Sequence, residues 1–105
     1  MSKDPAASEA RQQFAAALAA TRKWYGRGMG RPTLSMEEFA RQLGIESERY
    51  RRYERGETEP SIWLLAAIRR HTGIGLDFLV ARMPPGHTVN LDDFPPDPPR
   101  RRRKP

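Results

Sequence analysis

The sequence predicts an all-α protein, a five-helix domain over residues 1–82 followed by a disordered tail rich in proline and arginine over 83–105. Three observations predict it. Apolar and charged residues recur with a helical period up to Arg82, with no alternation of period two that would signal a strand. Serines that can cap helix starts and glycines that can end them punctuate that pattern at Ser35, Gly44, Gly56, Ser61 and Gly73. Beyond Arg82 the composition changes: "MPPGHTVNLDDFPPDPPRRRRKP" holds seven of the ten prolines.

Each element has a local reason. Asp4 can cap a first helix with Pro5 at its first position, where a missing N–H costs nothing; Phe14 and Leu18 share one face, and the helix is expected to end near Tyr25. "GRGMGRPT" (26–33), with three glycines and a proline, reads as a loop. Ser35 caps helix 2 and Glu38, three residues on, completes a capping box; Phe39, Ala40 and Leu43 form the buried stripe and Gly44 stops it. Helix 3 runs from about Glu46 to Arg55 and closes at Gly56. Ser61 caps helix 4, with Ile62, Leu65 and Ile68 as the expected core face, and Gly73 ends it. "LDFLVAR" makes a short helix 5. Proline removes backbone donors and forbids the preceding residue's helical conformation, so the tail is expected to be extended or disordered.

The bulk numbers limit function. A chain of 105 residues allows one small domain, and one this size buries only about 60–70% of its unfolded surface, which disfavours a deep catalytic cleft. Nineteen Lys plus Arg against 13 Asp plus Glu leave a net charge of +6, a balance that favours an anionic partner, nucleic acid first. The absence of cysteine excludes disulfides and thiolate metal sites. No apolar run approaches the roughly 18 residues of a membrane span, and the N-terminus carries no signal-peptide core, so a cytoplasmic location is expected. His71 and His87 stand apart without cysteine company, and no nucleophile–base pair or phosphate-binding glycine loop occurs. The expectation is no enzyme, no catalytic residue, no metal and no cofactor.

"LSMEEFARQLGIESERYRRYERGETEPS" (34–61) carries the most specific pattern. Leu34-Ser35, Phe39-Ala40, Leu43-Gly44-Ile45, Tyr50, Tyr53-Glu54, Gly56 and Pro60-Ser61 fall at fixed spacings, and the segment resembles the phage repressor/Cro-type helix-turn-helix family; with the helices that flank it, the resemblance spans roughly residues 14–80. It places the helix-turn-helix itself at 35–55. Physical chemistry fits the spacing, since a small Ala40 lets two helices cross closely and Gly44 permits a positive φ at the turn. The resemblance also implies a structural salt bridge between Arg22 and Glu54, joining helices 1 and 3.

At about 100° per residue, Glu48, Arg51, Arg52 and Arg55 project opposite Tyr50 and Tyr53, with Ser47 at the edge. The resemblance makes Ser47, Glu48 and Arg52 the base-reading residues of a major-groove helix, with Arg49, Arg51 and Arg55 reaching phosphates. Arginine suits guanine O6 and N7, and a carboxylate can accept from the cytosine amino group. Three departures are visible. Met36 stands where the family often has a phosphate-gripping glutamine. Glu57 and Glu59 place negative charge near the expected backbone track. "GRGMGRPT" lengthens the link between helices 1 and 2, and its Arg27 and Arg31 are either further phosphate contacts or part of a solvated loop.

Two functions follow. One is a sequence-specific transcriptional regulator on the nucleoid, binding double-stranded DNA as a homodimer on a palindromic operator, with dimerisation through helices 4 and 5 as in the family. The other is an antitoxin-like or adaptor module that binds a protein through Trp63 or the C-terminal tail. Val89, Leu91 and Phe94 are the apolar residues of that tail, and "RRRRK" reads as a basic arm that raises DNA affinity.

Overall fold

The computed structural model describes residues 5–31, 34–82 and 88–95, with the side chains of 5–7 excluded. Asp4, the Pro32–Thr33 end of the expected loop, His87 and the basic run 100–104 lie outside the described residues. In chain order the helices are α1 (Pro5–Gly28), α2 (Met36–Leu43), α3 (Ser47–Glu54), α4 (Ile62–Thr72) and α5 (Leu76–Val80), followed by a single 3₁₀ turn at Leu91–Asp93. No strand occurs among the described residues.

The long α1 is the spine, packing on α3, α5 and the 3₁₀ turn, while α2 packs on α3 and α4. Its buried face is Phe14, Ala17, Leu18, Thr21, Trp24 and Tyr25, the three-and-four spacing of one helical stripe. Phe39 of α2 sits between Tyr25 at 5.9 Å and Tyr50 at 5.7 Å, the latter edge-on, so one aromatic chain ties three helices together. Each large apolar side chain buried this fully contributes about 1.5–3 kcal/mol relative to exposure. The two buried threonines are satisfied locally: Thr21 donates to the Ala17 carbonyl at 2.8 Å and Thr72 to that of Ile68 at 2.7 Å.

Helix starts follow their caps. The Ser35 hydroxyl accepts from the Glu38 N–H at 3.1 Å, and Ser61 accepts from Leu64 at the same distance. The return half of the expected capping box is replaced, because the Glu38 carboxylate is taken by Arg31 rather than the Ser35 backbone. Gly44 ends α2 at φ +79°, and its N–H bonds the Arg41 carbonyl while that of Ile45 bonds Ala40.

Three expectations need correction. α1 runs three residues beyond Tyr25, to Gly28, and the loop shrinks accordingly. Gly26 is no breaker: a Cβ there would lie 2.5 Å from the Arg31 carbonyl oxygen and 2.8 Å from the Leu34 Cβ. The missing side chain admits the returning chain, whose Arg31 N–H bonds the Gly26 carbonyl at 2.7 Å. The buried face of α4 is Leu64, Ala67, Ile68 and Thr72; of the expected Ile62, Leu65 and Ile68, Ile68 is buried, whereas Ile62 is 77% exposed and Leu65 half-buried. Apolar residues surround the first turn of α4, so period alone does not fix its phase. Finally, residues 88–95 of the expected tail pack onto the helical domain. Phe94 is buried against Trp24 and Phe78, and Val89 and Leu91 are half-buried beside it.

Candidate nucleic-acid interface

α3 is held from behind and presents its charges in front. Tyr50 and Tyr53 are buried. The Tyr50 hydroxyl donates to Glu54 at 2.6 Å and the Tyr53 hydroxyl to Ser61 at 3.4 Å. Burial, then the Glu54 charge, pushes the Tyr50 hydroxyl well above the usual phenol range. Glu54 in turn accepts from Arg22 of α1 at 2.8 and 3.0 Å. The hydrogen bond to Glu54 raises the guanidinium's pKa further, so Arg22 is a permanent cation bracing the helix.

The C-terminal end of α3 is gripped by side chains that sequence reasoning missed. Arg11 Nε donates to the Gly56 carbonyl at 3.2 Å, and Gln12 Nε2 to that of Arg55 at 3.3 Å, satisfying carbonyls a helix end leaves open. These partners lie more than 40 residues away in sequence, so no local pattern could reveal them.

On the outer face Glu48, Arg49, Arg52 and Arg55 are exposed, with Ser47 and Arg51 half-buried. Among the described residues, Arg49 and Arg52 have no carboxylate within ion-pair distance. Arg51 instead bridges Glu37 of α2 and Glu48, each at 3.4 Å, and Arg55 pairs with Glu57 at 3.7 Å. Arg11 approaches Glu59 at 3.8 Å. The acidic residues on and beside α3 are thus mostly neutralised in place; of Glu46, Glu48, Glu57 and Glu59, Glu46 alone lacks an arginine partner among the described residues. Exposed pairs of this kind contribute only about 0–1 kcal/mol, so a competing phosphate can displace them at small cost.

The sequence-predicted residues do not all converge. Ser47, Glu48, Arg49, Arg51, Arg52 and Arg55 share α3 or its ends, whereas Arg27 lies exposed in the last turn of α1 and Arg31 is bound to Glu38. Met36 is half-buried and packs on the core, as a thioether can and a phosphate-gripping amide would not. A shallow groove between α2 and α3 is lined by Glu37, Arg41, Ile45 and Ser47. Its Arg41 is exposed and has no carboxylate partner among the described residues, a cation the sequence reading passed over. No group of three or more metal-ligating side chains occurs among the described residues, and no described helix is long and apolar enough to cross a membrane.

Residues 32–79, spanning α2 to most of α5, match the profile of a family described as Helix-turn-helix. No curated protein and no solved structure matches the chain.

Proposed function

We propose that residues 32–79, which match a Helix-turn-helix family profile, form a DNA-binding domain of the repressor/Cro (XRE) type, and that the protein is a sequence-specific transcriptional regulator whose α3 reads the major groove. The observation that carries this reading is Arg52: exposed, without a carboxylate partner among the described residues, on a short helix braced by Tyr50, Tyr53 and the Arg22–Glu54 pair. Arg52 reads guanine through O6 and N7, Glu48 accepts from a cytosine amino group, and Ser47 contacts the neighbouring base edge. Arg49, Arg51 and Arg55 hold phosphates on either side, with Arg27 and Arg31 reaching the flanking backbone.

The regulator acts on the cytoplasmic chromosome as a homodimer. Leu76 and Val80 of α5 are 54% and 50% exposed, an apolar pair suited to a two-fold contact that puts two α3 helices about 34 Å apart on a palindromic operator. A second reading, capture of a protein partner, is favoured by Trp63 and Ile62, 83% and 77% exposed on the first turn of α4.

Binding selection from a random duplex library at near-physiological salt tests the proposal. Recovery of a palindromic motif containing G·C pairs supports it. Enrichment without a motif, or no retention, contradicts it and directs attention to Trp63.

A further inference from the structure

We propose that Arg51 is a latch that couples base reading to backbone grip: Glu48 and Glu37 share it in the free protein, and a cytosine that takes Glu48 releases it to a phosphate. Glu37 is thereby a positioning residue that sets specificity through Arg51. This deepens the DNA-binding reading and rests on it.

The latch is a fork. Arg51 spends its two terminal nitrogens on two different carboxylates: Nη1 donates to Glu48 Oε1 and Nη2 to Glu37 Oε2, each at 3.4 Å. Glu48 lies one turn earlier on α3, whereas Glu37 comes from the first turn of α2. The Arg51 side chain is 31% exposed, Glu37 62% and Glu48 50%, so a bound duplex can reach all three. Two carboxylates around one guanidinium leave the fork negative overall. Arg51 therefore offers a phosphate little until one of them lets go.

The two partners of Glu48 exclude each other. A carboxylate paired with the residue three positions on lies along the helix surface. A base edge lies beyond the outer face of α3, so Glu48 must leave Arg51 to reach it. Cytosine replaces the lost donor with its amino group, whereas thymine presents its O4 acceptor and leaves Glu48 where it was. On the right base one arm of the fork is vacated and Arg51 turns to the backbone; on the wrong base both contacts are forfeited together. An exposed pair is worth at most about a fivefold change in an equilibrium. A phosphate thus has one such arm to displace after Glu48 has left, and two when it has not. The neighbouring arginines lack this coupling. Arg52 has no carboxylate partner among the described residues, and Arg55 pairs with Glu57, which does not read a base.

The test measures affinity against salt by fluorescence anisotropy, using the full chain and two duplexes. One is the duplex that selection recovers; the other carries thymine in place of the cytosine read by Glu48, which is the position where Glu48→Ala abolishes discrimination. Glu37→Gln weakens the hold on Arg51 whichever base is present, so it should tighten the thymine duplex by up to about fivefold more than the cytosine duplex. Discrimination at the guanine read by Arg52 should not change. Glu57→Gln, the control for simple loss of negative charge, should tighten both duplexes alike. Arg51→Gln should lower the salt slope by about 0.9 on the cytosine duplex and by much less on the thymine duplex. Arg51→Lys keeps a cation for the phosphate but has no planar fork to span two carboxylates, so it should give both duplexes the same slope. Equal tightening of both duplexes by Glu37→Gln would make Glu37 an ordinary surface charge and overturn the proposal. Weaker binding of the cytosine duplex alone would make the fork a splint that orients Glu48, and would overturn it too. If Glu48→Ala alters discrimination nowhere while the selected duplex is still bound, the latch fails and the DNA reading stands. If selection recovers no duplex, the DNA reading fails and the latch falls with it.

Discussion

The Arg22 guanidinium grips both Glu54 carboxylate oxygens, at 2.8 and 3.0 Å, with side-chain exposures of 14% and 6%. The same guanidinium donates to the Leu34 carbonyl at 2.7 Å, and Glu54 accepts from Tyr50. One ion pair thereby locks α1, the entry to α2 and α3 into a single geometry. Breaking it from one side strands a largely buried charge. Arg22→Ala or Glu54→Ala should each cost about 3 kcal/mol in urea unfolding, and the double variant Arg22→Met/Glu54→Leu should recover most of that. Equal losses from the singles and the double would contradict this account.

Gly26 and Gly44 should respond differently to alanine. At Gly44 the φ of +79° is strained for alanine but the space is open, so Gly44→Ala should cost about 1 kcal/mol. Gly26 is helical, where alanine is intrinsically favoured by up to about 1 kcal/mol. Its Cβ would nevertheless strike the Arg31 carbonyl and Leu34, and overpacking of that kind typically costs about 1–3 kcal/mol. Thermal unfolding should therefore show Gly26→Ala destabilising the fold rather than stabilising it, against helix propensity alone.

His71 should make stability fall in mild acid. Burial, with a smaller contribution from the Arg70 charge, lowers its pKa below the ordinary value of 6.5, and its Nε2 faces the Gln42 side-chain oxygen at 3.1 Å. The unfolded chain therefore binds the proton first as pH falls, and stability drops from about pH 6.5 down to the lowered folded value. His71→Gln should remove that component, so wild type should lose more melting temperature than the variant between pH 7.5 and 5.5. Identical pH profiles would contradict it.

The proposed two-fold contact predicts that Leu76→Lys/Val80→Lys shifts sedimentation towards the monomer and weakens operator binding while leaving helical content intact. If Trp63→Ser dissociates the protein and the α5 variant does not, the contact lies on the first turn of α4 instead.

Local chemistry made much of the fold legible. Ser35, Ser61, Gly44 and Gly73 mark helix ends because a hydroxyl acceptor or a positive φ is needed within a residue or two, and the Phe39, Ala40 and Leu43 stripe follows from period alone. What stayed hidden was tertiary. Gly26 looks like a breaker until the returning Arg31 and Leu34 backbone is seen against it. Leu64 takes the core position from Ile62 because packing chooses among apolar neighbours that period cannot rank. Phe94 sits among prolines and aspartates, and only the Trp24–Phe78 cleft distinguishes it from linker. The charged face of α3 was readable, but the Arg51, Arg55 and Arg11 pairings that neutralise its acids were not, since they depend on rotamers and on residues distant in the chain.

The most direct measurement is the affinity of Arg52→Ala for the duplex that selection recovers, set against duplexes with its guanine replaced. The account predicts a loss of about 1–3 kcal/mol on the selected duplex, roughly 5–150-fold, with discrimination at that one position abolished. Unchanged affinity and discrimination, in a variant folded as wild type, would contradict the assignment of α3 as the reading helix.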